Sequence, residues 1–157
     1  CRQISKFCSI PLIILRAFNI YGHVFKQGRL ISDILSAYKT QSPFTLNNPN
    51  PRRDYLYVKD FILLLHRILE TDDLSAATFN VGSGKGYSNI EVIEKFNTLI
   101  KEPLKVQIDF NPRQNDILEC VADISKIQQT FSWKPRYTLK QGLSEIISEI
   151  QLNSGLS

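Results

Sequence analysis

A continuous run of apolar residues near the start of the chain limits the fold more than any other feature. Residues 11–15 (PLIIL) follow a turn signal, and the run continues through residues 16–20 to Tyr21 and Gly22. An apolar strand without alternation is typical of parallel sheets, because both faces of such a sheet are covered. Polar side chains follow at its carboxyl end, where open α/β sheets bind ligands. We therefore predict one buried strand with a ligand site beside it.

Strands and helices alternate along the rest of the chain, which indicates an α/β fold. Helical spacing of apolar residues predicts helices at residues 31–38, from Asp60 to about Glu70, behind Ser88, after Asp123 and at residues 143–150. Short apolar or alternating segments predict strands at residues 43–46, 55–58, 77–81 and 106–110. Asp60 and Asp123 stand where helix N-caps belong, and Ser88 with Glu91 matches a capping box. No long linker interrupts this pattern, so we predict one linked domain.

The composition argues against several classes of protein. Hydrophobic residues make up 43% of the 157 residues and charged residues 22%, which argues against disorder. The net charge of +4 favours anionic ligands mildly, but the chain lacks the basic clustering of nucleic-acid-binding proteins. No apolar stretch approaches the roughly 20 residues that span a membrane. Three cysteines (Cys1, Cys8 and Cys120) and two histidines lack the spacing of a metal site, so we predict reduced thiols in the cytoplasm.

Two adjacent arginines, Arg52 and Arg53, end a loop rich in proline and asparagine. In the strand that follows, Tyr55 and Tyr57 alternate with Leu56 and Val58, so the tyrosines should lie on one face. Arginine suits phosphate binding, because its planar group gives two parallel hydrogen bonds and never loses its charge. The alternative is a pair of solvated loop charges.

A glycine-rich turn at residues 82–86 (GSGKG) follows a predicted strand and precedes a predicted helix, which is the setting of phosphate-binding loops. It matches neither common fingerprint. Tyr87 stands where the dinucleotide motif needs a third glycine, and Gly86 follows Lys85 where the nucleoside-triphosphate motif needs serine or threonine. We therefore favour a structural turn.

Several polar residues remain at predicted strand ends: Arg16, Asn19, Arg53, Arg113 and Asp116. Two arginines from different loops can clamp a diphosphate, and an asparagine can orient it. Asp116 can accept a hydrogen bond from a sugar hydroxyl, or form an ion pair with Arg113. Composition alone does not choose between these roles.

Five segments, in order, resemble motifs of NAD-dependent nucleotide-sugar epimerases and dehydratases, the extended short-chain dehydrogenase/reductases. They are residues 15–22 (LRAFNIYG), 53–60 (RDYLYVKD), 79–84 (FNVGSG), 113–116 (RQND), and 133–135 with 142–143 (WKP and GL). The resemblance covers nearly the whole chain. It departs from the family pattern at His23, where proline is usual, at residues 47–51, which replace a glycine-rich turn, and at residues 114–115, which replace Pro-Gly. Ser132 also replaces a glycine.

The resemblance implies a C-terminal fragment, because the family's Rossmann motif and catalytic Tyr-x-x-x-Lys precede the matched segments and neither occurs here. Residues 1–22 would end the cofactor domain, with its late parallel strand. Residues 23–152 would form a mixed α/β substrate-binding region, and residues 153–157 a frayed tail. Ala17 and Phe18 would lie near the nicotinamide of NAD.

The family also implies roles for individual residues in substrate binding. Asn19 would contact the diphosphate of a nucleotide sugar, Arg53 and Arg113 would bind its phosphates, and Asp116 would meet the ribose or Arg113. Residues 28–32, with Arg29, resemble the matching segment of UDP-glucuronate decarboxylases, which favours UDP sugars.

The function that follows is hydride-transfer chemistry by a full-length protein. NAD would oxidise a sugar hydroxyl, and epimerisation, dehydration or decarboxylation would follow, while the fragment alone would be inactive. The family implies a homodimer, with no nucleic-acid or membrane partner. The alternative hypothesis is a non-catalytic module that binds nucleotide sugars.

Overall fold

The computed structural model describes residues 2–23, 28–72, 75–111 and 114–154. The helices of this part are α1 (Arg2–Cys8), α2 (Leu30–Thr40), α3 (Val58–Leu69), α4 (Asn89–Asn97), α5 (Ser125–Phe131) and α6 (Leu139–Ser154). The strands are β1 (Ile13–Ala17), β2 (Asn19–Tyr21), β3 (Phe44–Leu46), β4 (Arg52–Tyr57), β5 (Ala77–Val81), β6 (Gly86–Ser88), β7 (Val106–Ile108) and β8 (Glu119–Cys120). The α/β prediction is confirmed. No helix in these ranges is both long and apolar enough to cross a membrane.

The strand predicted near the start of the chain is two strands, so this prediction was wrong in part. β1 pairs in parallel with β5, and β2 pairs in parallel with β4, with Asn19 opposite Tyr55. The change of partner occurs at Phe18, whose N–H donates to the Val81 carbonyl at 2.9 Å as the last bond to β5. The chain therefore passes from the β1–β5 pair to the β2–β4 pair at Phe18, directly before the polar Asn19.

β4 is the central strand of the fold. It pairs with β2 and β8 in parallel and with β6 antiparallel, while β3 and β7 form a separate parallel pair. Tyr55 and Tyr57 face a core built with α2, α4 and α6, and Leu56 faces a second core built with α3, β5 and α5. The alternation predicted for Tyr55, Leu56 and Tyr57 is confirmed, whereas Val58 begins α3 and packs against the core of the two tyrosines, so its predicted place beside Leu56 was wrong.

Two of the three predicted helix starts need correction. The capping box of Ser88 and Glu91 is present at α4. Helix α3, however, begins at Val58, and the buried Asp60 carboxylate accepts the N–H groups of Arg136 (2.8 Å) and Tyr137 (3.0 Å). β4 runs directly into α3, so Asp60 falls within the first turn, where a carboxylate also suits the helix dipole.

Two further differences lie at the ends of α5 and α6. Asp123 bonds the N–H and hydroxyl of Ser125, but the residue at the N-cap position of α5 is Ile124, so this prediction is wrong by one residue. Helix α6 continues to Ser154, so the first two residues of the predicted tail are helical.

Candidate functional site

A cavity of about 780 Å³ opens between β2, the start of α2, β3, β4 and the loop at residues 47–51. Its lining includes four of the five predicted substrate residues, namely Asn19, Arg29, Arg53 and Asp116. Phe18, one of the two predicted cofactor neighbours, also lines it, whereas Ala17 lies outside its wall. Arg113 lies outside the described residues, so its role stays a prediction. The fold thus collects predicted residues that are far apart in sequence.

Arg53 lies at the side of this cavity with its side chain mostly covered. Its Nη1 atom donates to the carbonyl oxygens of Arg52 (3.0 Å) and Ile117 (2.6 Å), and Nη2 donates to Asp116 Oδ1 at 2.9 Å. A guanidinium carries five N–H groups, so the bonds to these described residues leave two N–H groups for a ligand. The side chain is therefore held in place while it keeps donors for an anion.

Asp116 is bonded on both of its oxygens. Oδ1 accepts from Arg53, and Oδ2 accepts from Asn48 Nδ2 at 3.3 Å. Sequence reasoning proposed Arg113 as its ion-pair partner, but within the described residues the partner is Arg53. The pair joins residues 63 positions apart, a separation that local sequence patterns do not reveal.

Asn19 and Arg29 reach the cavity from two other elements. Asn19 Nδ2 donates to the Asp54 carbonyl at 2.9 Å, and since a side-chain amide can form about four hydrogen bonds, capacity remains for a ligand. Arg29 precedes α2, after Gly28 at φ +81° and with no side-chain capping bond. The Gly28 N–H donates to Asp33 Oδ1 at 3.0 Å, which orders this entry to the helix.

The glycine-rich turn at residues 82–86 is a structural turn, as predicted. The buried carboxylate of Asp54 accepts the N–H groups of Ser83 (2.6 Å) and Gly84 (2.9 Å), the Ser83 hydroxyl (2.6 Å) and the Ala122 N–H (3.1 Å). An internal anion therefore occupies donors that a phosphate would need. A Cβ at Gly82 would also collide with the Asp54 carboxylate.

Arg52 points away from the cavity, and the alternative of a solvated loop charge describes it only in part. It donates to Glu91 Oε2 at 2.9 Å and to the Gly86 carbonyl at 2.6 Å, and Glu119 lies 3.7 Å away. Its side chain is 42% exposed. Arg52 therefore links β4 to the start of α4.

A polar cluster beside the cavity was missed by sequence reasoning. The Tyr57 hydroxyl donates to Glu145 Oε2 at 3.2 Å, Lys59 also contacts Glu145, and His23 Nδ1 lies 2.9 Å from Glu149 Oε2. Burial raises the pKa of Tyr57 to about 12, although Lys59 opposes the rise. The signal that was available is the i, i+4 spacing of the two glutamates on α6.

The described residues hold no group of three or more histidine, cysteine, aspartate or glutamate side chains arranged to bind a metal. Cys8 and Cys120 are free thiols. What the site offers instead is a set of hydrogen-bond donors and acceptors around a cavity large enough for a small organic anion.

A mixed α/β fold with such a cavity beside its central strand is typical of proteins that bind small molecules or cofactors. The family model described as GDP-mannose 4,6 dehydratase matches residues 1–146, and the chain belongs to this family of NAD-dependent epimerases and dehydratases. The resemblance stated from the sequence motifs is therefore confirmed.

Curated relatives match the chain over most of its length. UDP-glucose 4-epimerase of Mycoplasma genitalium is 29% identical over 161 residues, covering 90% of this chain and 47% of the relative. UDP-glucuronic acid decarboxylase 6 of Arabidopsis thaliana is 27% identical over 154 residues, covering 94% of this chain and 43% of the relative. The chain thus spans a little under half the length of these relatives.

Solved structures support the fold. UDP-glucuronic acid 4-epimerase from Bacillus cereus, in complex with UDP-glucuronic acid and NAD, has a TM-score of 0.85 at 22% identity, over 98% of this chain and 49% of that chain. RMD from Pseudomonas aeruginosa, complexed with NADPH, has a TM-score of 0.83 at 23% identity, over 98% and 52%. The α/β architecture derived from the chain's own pattern is the one these structures share.

Proposed function

We propose that this chain is the nucleotide-sugar-binding portion of a longer NAD-dependent enzyme. The enzyme would oxidise a sugar hydroxyl, and epimerisation, dehydration or decarboxylation would follow. The observation that carries the proposal is the cavity, whose lining brings together Asn19, Arg29, Arg53 and Asp116 from separate segments. Residues 28–32 and the UDP-sugar relatives favour a UDP sugar as ligand.

In this proposal the chain contributes binding energy and orientation. The two remaining N–H groups of Arg53 bind the diphosphate, Arg29 adds a second positive charge, and Asn19 orients the group. Asp116 accepts from a hydroxyl of the nucleotide. Each charge-assisted hydrogen bond contributes about 1.5–3 kcal/mol, and a fixed diphosphate holds the sugar in the geometry needed for reaction.

In this proposal the chain contacts the cofactor along one edge. Phe18 offers an apolar wall at the carboxyl end of β1, and the neighbouring small side chain of Ala17 leaves room, so these two residues would lie against the nicotinamide of NAD. The N–H groups of Ser83 and Gly84 already bind Asp54, so the glycine-rich turn is not the pyrophosphate site in this proposal. When bound, NAD supplies the hydride chemistry.

Exposed apolar faces support the proposal of a longer, homodimeric protein. Large apolar side chains are exposed on α1 and α3, namely Ile4, Phe7, Ile62, Leu63, Leu65 and Leu69. A patch of this kind marks a surface that contacts another part of a protein or another subunit. We propose that residues 1–157 alone are inactive, and that the enzyme works in the cytoplasm, where Cys8 and Cys120 stay reduced.

Calorimetric titration of the full-length protein with UDP, GDP, TDP and CDP sugars tests the proposal. We expect saturable binding, tightest for a UDP sugar, and turnover of that sugar when NAD is present. Binding without turnover would favour the alternative of a non-catalytic module. No binding of any nucleotide sugar would overturn both.

A further inference from the structure

The loop at residues 47–51 makes a contact that the proposed function does not use. We propose that Asn48 is a positioning residue, which keeps Asp116 from occupying the N–H groups with which Arg53 binds the phosphates. The inference rests on the proposed function, since it concerns the strength of nucleotide-sugar binding in the same cavity. Asn48, Arg53 and Asp116 all line that cavity.

The amide of Asn48 has one orientation. Its Oδ1 accepts the Asn50 N–H at 3.2 Å, so Nδ2 faces Asp116 Oδ2 and donates to it at 3.3 Å. The reverse orientation would set an amide oxygen against a carboxylate and an amide donor against a backbone donor, and both contacts are repulsive.

The loop that carries Asn48 is itself anchored. The Asn48 carbonyl accepts Asn89 Nδ2 at 2.7 Å, and the Pro49 carbonyl accepts the Ile90 N–H at 3.2 Å. Both partners belong to the first turn of α4, a helix whose start is ordered by its capping box. Asn48 therefore presents its amide from a fixed support.

Asp116 approaches from the opposite side. The segment after it is docked on β4, because the Arg52 N–H donates to the Leu118 carbonyl at 2.7 Å and Arg53 donates to the Ile117 carbonyl at 2.6 Å. Its carboxylate contacts Arg53 through one oxygen only, since the other is held by Asn48.

This one-oxygen contact matters because a carboxylate and a guanidinium readily form two parallel hydrogen bonds. With Oδ2 released, Asp116 can turn and take a second N–H of Arg53. Since the bonds to described residues already use three of the five N–H groups, a second carboxylate bond would leave only one for a phosphate. Asn48 thus leaves two N–H groups of Arg53 free to bind the phosphate.

A double-mutant cycle between Asn48→Ala and Arg53→Ala tests this inference in the full-length protein. We expect Asn48→Ala to raise the Kd and KM for the nucleotide sugar about fivefold to tenfold, with kcat nearly unchanged. In the Arg53→Ala background the same change should have almost no effect, because the guanidinium whose N–H groups Asn48 keeps free is absent. Asn48→Asp, which has the same shape but no donor, should also weaken binding.

Asn50→Ala is the matched control. Asn50 belongs to the same loop and contributes its backbone N–H, which alanine keeps, so affinity should stay at the wild-type value. The inference is overturned if Asn48→Ala leaves affinity unchanged, or if it weakens binding equally with and without Arg53. If Arg53→Ala alone leaves affinity unchanged, the binding role proposed for Arg53 fails and the inference fails with it, whereas the proposed function fails only if the wild-type protein binds no nucleotide sugar.

Discussion

Arg52 and Arg53 are adjacent and chemically identical, yet the structure uses them for different purposes. Successive strand residues point to opposite faces, so Arg53 turns toward the cavity and Arg52 turns away from it, where it contacts Glu91 of α4. Arg52 bonds Glu91 and the Gly86 carbonyl, and thereby joins elements of the fold. Arg53 is fixed by carbonyl oxygens and Asp116 but keeps donors for a ligand. The strand's alternation, and not the residue type, separates the structural role of Arg52 from the binding role proposed for Arg53.

The same division holds for two aspartates. Asp54 lies two residues after Arg52 on β4, is fully buried, and is bonded by the glycine-rich turn and by Ala122. Asp116 lines the cavity beside Arg53. We therefore expect substitutions on the Arg52 side to change stability, and substitutions on the Arg53 side to change ligand binding.

The largest effect is expected for Asp54→Ala. The change removes the charged acceptor of the Ser83, Gly84 and Ala122 N–H groups, and each hydrogen bond to a charged group contributes about 1.5–3 kcal/mol. The free energy of unfolding should fall by about 3 kcal/mol or more, as measured by urea denaturation of the full-length protein. Asp54→Asn keeps one acceptor oxygen and should lose less. Wild-type stability in both variants would contradict the structural role of Asp54.

The next largest effect is expected for Arg53→Ala, which should weaken ligand binding. Loss of the proposed phosphate donors should lower kcat/KM for the proposed nucleotide-sugar substrate tenfold or more, which corresponds to about 1.4 kcal/mol or more. Arg53→Lys keeps the charge but not the planar pair of donors, so it should recover only part of the activity. Steady-state kinetics of the full-length protein measures both. An unchanged kcat/KM in the alanine variant would contradict the binding role proposed for Arg53, so Arg53 would no longer differ from Arg52 in function.

Local sequence patterns predicted the elements of this fold better than the contacts between them. The alternation of Tyr55 and Leu56, and the capping box of Ser88 and Glu91, depend on neighbours within a few residues, and both predictions were confirmed. The family resemblance identified four substrate residues that line the cavity, although their contacts with a ligand stay predictions.

The errors arose where distant segments decide the structure. The change of partner strand at Phe18 depends on β4 and β5, and Asp60 is drawn into the core by backbone donors at residues 136–137. The Arg53–Asp116 pair and the Asn48–Asp116 contact each join segments more than 60 residues apart. A pattern that repeats every two or every 3.6 residues contains no information on such pairings.

The smallest effect is expected for Arg52→Ala. Its ion pair with Glu91 is partly exposed, so the free energy of unfolding should fall by about 1 kcal/mol or less, and kcat/KM should stay near the wild-type value. The Ser88 N–H, together with Arg52, lowers the pKa of Glu91 below its ordinary value of 4.5. This stabilisation is present above that value and is lost as the pH falls through the lowered pKa.

The pH dependence gives this prediction a second measurement. Because Arg52 supplies part of the shift at Glu91, Arg52→Ala should lose less stability than the wild type when unfolding is compared at pH 7 and at pH values below 4.5. Arg53→Ala is the matched control, since Arg53 contacts Asp116 and not Glu91, and it should keep the part of the wild-type pH dependence that Glu91 contributes. If Arg52→Ala instead weakened substrate binding as much as Arg53→Ala does, both arginines would belong to the binding site, and strand alternation would not separate their roles.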